Sequence, residues 1–163
     1  MRKALYPGSF NPFTRGHLDI VARALRVFDH VEVCIGVNIN KAGSAETAGL
    51  TRRYLSEIFD GYPVSVTVSS GLTARAVADG GACCIVRGVR GVTDFEYERT
   101  LAETNLSIFG VDTLLLCARP ELSIVSSSMV RELEHFGVDV NGWLVTADDV
   151  REILGAGMEK RKD

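Results

Sequence analysis

Tyr6-Pro7-Gly8-Ser9-Phe10-Asn11-Pro12-Phe13-Thr14-Arg15-Gly16-His17 decides how the rest of this chain is read. Before it stands a short apolar run, Ala4-Leu5. After it Leu18, Val21, Ala22, Leu25 and Phe28 recur at helical spacing. Strand, turn and helix within about thirty residues are the parts of a βα unit. Gly8 permits a turn where a side chain would clash, and Pro7 and Pro12 stiffen the chain on either side. Gly16 lets another group approach the first turn of the helix, whose free N–H groups and partial positive charge suit a phosphate. His17 adds two ring nitrogens able to meet phosphoryl oxygens. A turn with one glycine and one histidine is also what an ordinary βα connection looks like. The gathering of Ser9, Thr14, Gly16 and His17 about one helix start points instead to an anion site.

Outward from this stretch, strands and helices alternate. Apolar, β-branched runs predict strands over residues 30–37, 64–68, 82–86 and 113–117. Helical patterns are expected over 49–59, 72–78, 93–109, 126–136 and 147–154. The run at 82–86 is apolar throughout, as a central parallel strand should be. The alternation predicts an α/β fold: a Rossmann-like, doubly wound, parallel five-stranded sheet with a C-terminal helical segment, in a single domain spanning 1–163. The tail 159–163 is expected to be frayed and solvated.

In such a sheet ligands bind at the C-terminal strand ends, near the point where strand order reverses. Polar residues collect at those ends: Ser9 and His17 after the first strand, Lys41 after the second, Arg87 and Arg90 after the fourth, and Ser123 with Ser126-Ser127-Ser128 after the fifth. A loop lysine such as Lys41 is by itself usually just solvated. Arg87 follows the most apolar strand, where a guanidinium is costly to desolvate unless it meets an anion. One of the three serines is expected as an N-cap, and three hydroxyls beside free N–H groups also make an anion cradle. Glu96 and Glu98 fall on different faces of their helix, which argues against a catalytic carboxylate pair.

With 163 residues, 46% of them apolar and 24% charged, the composition is that of a globular protein, long enough to bury about two-thirds of its unfolded surface. No apolar run approaches the length of a membrane span, and no signal-peptide core is evident, so a cytoplasmic protein is expected. The net charge of −3 argues against a nucleic-acid surface. Cys34, Cys83, Cys84 and Cys117 each lie in a β-like run without C-x-x-C spacing, so buried free thiols are expected rather than a zinc or redox site.

The opening stretch resembles the H-x-G-H signature of the nucleotidylyltransferase superfamily, with Thr14 in the first histidine position. That variant is similar to the phosphopantetheine adenylyltransferase family. Arg87-Gly88-Val89-Arg90, Asp94-Phe95-Glu96-Tyr97-Glu98 and Ile124-Val125-Ser126-Ser127-Ser128 resemble that family's R-G-x-R, D-F-E-Y-E and I-S-S-S elements, in the same order. The resemblance runs from Ala4 to about Val145. The chain departs from the pattern over Ala45 to Arg53, at Thr104, and at Leu122, where an aromatic residue is common.

The resemblance implies transfer of the adenylyl group of ATP to 4′-phosphopantetheine, giving dephospho-coenzyme A and pyrophosphate. It implies a catalytic set of His17, Lys41 and Arg90. ATP would be held by Ser9, Phe10, His17, Gly88, Val89, Arg90, Glu98 and the segment Leu122, Ser123, Ile124, Val125, Ser126, Ser127 and Ser128. The acceptor would be held by Ser9, Lys41, Thr73 and Arg87. Magnesium is expected with ATP, carried by substrate and water rather than by protein ligands. A homo-hexamer is expected, with no nucleic-acid or membrane partner. Two other readings stand beside it: a nucleotidylyltransferase acting on another small phosphate acceptor, and a catalytically silent adenine-nucleotide sensor on the same fold.

Overall fold

The computed structural model describes residues 1–71 and 73–159. Five strands, β1 (Lys3–Gly8), β2 (His30–Gly36), β3 (Val64–Ser69), β4 (Cys84–Val89) and β5 (Thr113–Cys117), form one sheet in the order β3-β2-β1-β4-β5, with every pairing parallel. The helices are α1 (Arg15–Ala24), α2 (Ser44–Ile58), α3 (Thr73–Gly80), α4 (Val92–Phe109), α5 (Ser127–His135) and α6 (Ala147–Glu159). The expected alternation and doubly wound sheet are both present. Strand order reverses between β1 and β4, so the crevice a ligand would use lies at the ends of those two strands.

The two sheet faces are unequal. Ala4, Tyr6, Val31, Val33 and Ile35 pack with Leu18 and Val21 of α1, Leu55 of α2 and Val150 and Leu154 of α6 in the main core. The opposite face holds a small cluster of Leu5, Cys34, Val77 and Ile85. A polar group sits on that face as well. Glu32, which is buried, accepts from Lys3 Nζ and Thr67 Oγ1 at 2.8 Å each. Gly80 of α3 comes so near that a Cβ there would lie 3.3 Å from Glu32 Oε2.

β1 and β4 are in register only at Ala4↔Cys84 and Leu5↔Ile85, although both strands run on. From Tyr6 and Val86 onward they part, and β4 continues its ladder with β5 alone, to Val89↔Cys117. Arg87 Nη1 reaches across the gap to the carbonyl of Pro7 at 2.6 Å.

Several boundaries differ from expectation for physical reasons. β4 begins at Cys84 and runs through Arg87 to Val89, so Arg87 lies within the strand instead of following it. Its charge is matched by Glu98, which removes the penalty that made it look like a strand end. α2 starts at Ser44, five residues before its apolar pattern becomes legible, behind a left-handed Gly43 with φ 74°. Cys34 is buried and Cys84 half-buried, but Cys83 and Cys117 are exposed, correcting the expectation of four buried thiols. Cys83 precedes the strand, and Cys117 ends the edge strand β5. Leu72, expected to open a helix, lies outside the described residues, as does the 160–163 tail.

Candidate active site

The parting of β1 and β4 opens a cavity of about 360 Å³ between the first turn, the end of β4, α4 and the start of α5. The turn is built by ring packing. Phe10 is buried with a positive φ of 47°. Its ring folds back over Gly8, where a Cβ would lie 2.8 Å from Phe10 Cζ. Only glycine fits under that ring. At Gly16 a Cβ would meet no protein atom nearer than 3.6 Å, so protein packing does not demand the glycine there.

His17 is the third residue of α1, and its side chain serves the helix start. Its Nδ1 accepts the backbone N–H of the N-cap Thr14 at 2.9 Å, doing what Glu or Gln does in a capping box. A backbone amide can only donate, so in the neutral ring the proton resides on Nε2, and His17 offers the cavity one N–H donor. Phe10 and Phe13 stand 5.1 and 5.3 Å from the imidazole, ring centre to ring centre. Burial, then the charges of Arg90 and Arg87, lower the His17 pKa to about 4, so the ring is neutral at pH 7.

Arg87 and Glu98 form the far wall. Arg87 Nε and Nη2 donate to Glu98 Oε2 and Oε1 at 2.7 and 2.5 Å in a bidentate pair. Burial opposes the charge of Arg87, but the bonds and charge of Glu98 outweigh it and hold its pKa above the ordinary value. Glu98 is buried while Glu96 is exposed, so the two carboxylates do occupy different helix faces. Arg90 leans on Asp94 through its backbone N–H at 3.1 Å and Nε at 3.4 Å.

The three serines are divided in their tasks. Ser126 is the N-cap of α5, accepting Met129 N–H at 3.1 Å. Ser127 Oγ donates to the carbonyl of Pro12 at 2.8 Å, and Ser128 Oγ lies 3.3 Å from Arg131 Nη2. Arg131 also donates to the carbonyl of Asn11. α5 is thereby strapped to the 9–13 turn, with its first residues lining the cavity. The segment before it is tied to α1, where Asp19 accepts Arg119 Nε at 2.6 Å and Arg23 Nη1 at 3.2 Å.

Of the residues singled out from the sequence, Ser9, Phe10, His17, Arg87, Gly88, Arg90, Glu98, Leu122, Val125, Ser126, Ser127 and Ser128 line this cavity together. Val89 turns its side chain into the core, and Ile124 is exposed. Neither they nor Ser123 line the cavity. Lys41 is exposed on the loop between β2 and α2, in a turn closed by its amide on the carbonyl of Asn38 at 3.0 Å. Thr73 lines a second cavity of about 430 Å³, which shares Pro7, Arg87 and Glu98 with the first and runs beneath Leu101, Asn105, Ile108 and Phe109 of α4. Tyr6, Ile20, Asp94, Tyr97 and Ala118 also line the first cavity and were not singled out. Tyr6, Asp94 and Tyr97 lie inside the quoted motifs and were legible by position. Ile20 and Ala118 carry no chemical signal.

The cavity can hold a polyphosphate between a fixed imidazole N–H, the amides of two helix starts and two arginines. A family model described as cytidylyltransferase-like matches residues 5–133. A phosphopantetheine adenylyltransferase of Porphyromonas gingivalis is 48% identical over 142 residues, covering 86% of this chain and 92% of that one. This chain belongs to the phosphopantetheine adenylyltransferase family. Another member, from Frankia casuarinae, is 40% identical over 161 residues, covering 94% of this chain and 99% of its own. Likeness in fold reaches further than likeness in sequence. The crystal structure of a bifunctional NMN adenylyltransferase/ADP ribose pyrophosphatase from Francisella tularensis superposes with a TM-score of 0.66 at 14% identity, over 97% of this chain and 50% of that one.

Proposed function

We propose that this protein transfers the adenylyl group of ATP to 4′-phosphopantetheine, giving dephospho-coenzyme A and pyrophosphate. The observation that carries the reading is the pair of cavities meeting at Arg87 and Glu98: one lined by groups suited to phosphates around His17, the other largely apolar and suited to a pantetheine arm. Family membership supports the same assignment.

An oxygen of the acceptor phosphate attacks the α-phosphorus, and the bond from that phosphorus to the bridging oxygen breaks, so that pyrophosphate leaves with the electron pair. The acceptor phosphate is an anion at pH 7 and needs no base. Catalysis is then alignment and charge stabilisation. His17 donates Nε2–H to an α-phosphate oxygen as charge builds there, and its neutrality spares the helix start a buried positive charge. Arg90 and the first amides of α5 hold the leaving phosphates. Ser9 and Lys41 place the acceptor phosphate, with Lys41 reaching in from its exposed loop. Thr73 and Arg87 bound the pantetheine arm.

Among the described residues no three His, Cys, Asp or Glu side chains gather so as to hold a metal ion. Glu98 and Asp94 are engaged with arginines. Magnesium therefore fits here as a partner of ATP, shielding its phosphates and bound otherwise by water. A hexamer is proposed from family resemblance and from the exposed apolar residues Val92, Phe95, Leu106 and Ile108 along α4, a surface of the kind a second copy covers. The mass of the assembly in solution tests it. A cytoplasmic location is proposed as well; among the described residues no helix is long and apolar enough to cross a membrane.

The deciding experiment is pyrophosphate release from ATP with 4′-phosphopantetheine. Release only with another acceptor, such as a nicotinamide nucleotide, would replace the substrate. ATP binding without release under any acceptor would make the protein a sensor.

A further inference from the structure

Most polar side chains around the nucleotide cavity are tied to the protein or face it as charges, and Ser9 and Tyr97, whose hydroxyls are not tied, are exposed. Tyr6 is different. It is only 5% exposed and lines that cavity. Its ring is held edge-on by Phe10 at 5.1 Å and stands 6.4 Å from the ring of His17. Among the described residues the hydroxyl has no hydrogen-bond partner, yet it is not sealed from solvent; Thr113 Oγ1 is the sole side-chain atom both sealed and unpartnered. What little of Tyr6 is accessible thus includes its oxygen, and the cavity is the space that Tyr6 lines.

A phenol whose oxygen is reached only from outside the protein is paired by whatever occupies that space, and a phenylalanine would fill the same ring site without needing a partner. The oxygen therefore calls for a partner that arrives from outside. We infer that the Tyr6 hydroxyl donates a hydrogen bond to the nucleotide bound in this cavity, beside the one from His17. Burial raises its pKa well above the ordinary value, and the charges of Arg87 and Arg90 only partly offset this, so the group stays protonated and able to donate. The same two arginines would gather the nucleotide's anionic oxygens close to it. The inference rests on the adenylyl-transfer reading only in taking the ligand to be ATP.

The test is Tyr6→Phe, which removes the oxygen and keeps the ring against Phe10. ATP affinity is measured by calorimetry without acceptor, Tm without ligand, and KM for 4′-phosphopantetheine by pyrophosphate release. The expected result is a Tm equal to or above that of wild type, ATP bound about five- to thirtyfold more weakly, and an unchanged KM for the acceptor. ATP affinity equal to wild type overturns the inference, and so does a loss of affinity that accompanies a lowered Tm, which would mark a packing role. If wild type binds ATP but transfers nothing to 4′-phosphopantetheine, the proposed reaction fails while the calorimetric comparison still decides the role of Tyr6. Wild type that binds no ATP overturns the inference outright.

Discussion

The cavity on the histidine side of Arg87 and Glu98 and the cavity on their far side are made in different ways. On the histidine side nearly every polar group is tied before any substrate arrives: His17 to Thr14, Ser126 to Met129, Ser127 to Pro12. On the far side the lining is mostly α4 side chains, with Leu101, Ile108 and Phe109 all well exposed. Transfer of charge needs donors that do not have to reorganise during the reaction, whereas an uncharged arm needs only apolar area and a few polar contacts. The difference therefore separates chemistry from recognition, and substitutions on the two sides should fail differently.

The sharpest break is on the histidine side. His17→Ala is expected to lower kcat by ~10²-fold or more while leaving ATP binding within a few-fold, because the lost N–H acts most strongly on charge that develops in the transition state. Steady-state kinetics with ATP binding measured separately check this. Normal kcat with weakened ATP binding would make His17 a ground-state ligand instead.

Lys41 lines neither cavity, and its proposed place is at the acceptor phosphate. Lys41→Ala should reduce kcat/KM for 4′-phosphopantetheine about ten- to a hundredfold, with ATP affinity unchanged, the range for one charge-assisted contact. An unchanged value at subsaturating acceptor returns Lys41 to being a solvated loop residue.

The shared wall sharpens the comparison from both sides. Glu98→Gln leaves the Arg87 guanidinium without its carboxylate, and breaking a buried pair costs about 3 kcal/mol or more; with a quarter of the Arg87 side chain exposed, about 2 is the expected loss. Denaturant unfolding reads that loss. KM should rise several-fold for both substrates, and a rise for only one would show that the wall belongs to one cavity.

Near neutrality the smallest effect is that of pH itself. The folded-state pKa of His17, about 4, lies below the ordinary 6.5, so between those values the unfolded chain binds the extra proton. Stability from this group is present above pH 6.5 and is lost as pH falls through the window towards 4. His17→Asn should flatten that part of the Tm–pH curve. For the same reason the His17 ring should not titrate between pH 8 and 5.5, so the pH profiles of kcat for wild type and His17→Asn should have the same shape there; a titration near 6.5 present in wild type and missing in the variant would mean the ring is not shielded as described.

Much of this was legible in the sequence. Alternating apolar runs declared the parallel sheet, and the turn from Tyr6 to His17 placed its phosphate end. What escaped has a common cause: pairings between residues distant in the chain. Arg87 looked like the end of a strand because Glu98, eleven positions on, could not be seen to neutralise it. The serine triplet looked like a single cradle because Pro12 and Asn11 lie more than a hundred residues away from the groups that bind them. Strand order, and with it the exposure of Cys83 and Cys117, depends on how βα units dock, which local pattern does not encode.

The early end of the β1–β4 ladder has a chemical origin in one imino acid. Lys3, Leu5 and Pro7 are the residues of β1 that face β4: the carbonyl of Lys3 takes the Cys83 amide, Leu5 stands opposite Ile85, and Pro7 comes next. Pro7 has no hydrogen to give, and its carbonyl is taken by Arg87, so it can neither donate to β4 nor accept from the main chain of β4. Proline is a poor fit for a central strand, yet here it acts as a wedge: the sheet unzips where its hydrogen is missing. A residue there with an N–H would invite the two strands to go on pairing, and the space that holds the nucleotide would be the first thing to narrow.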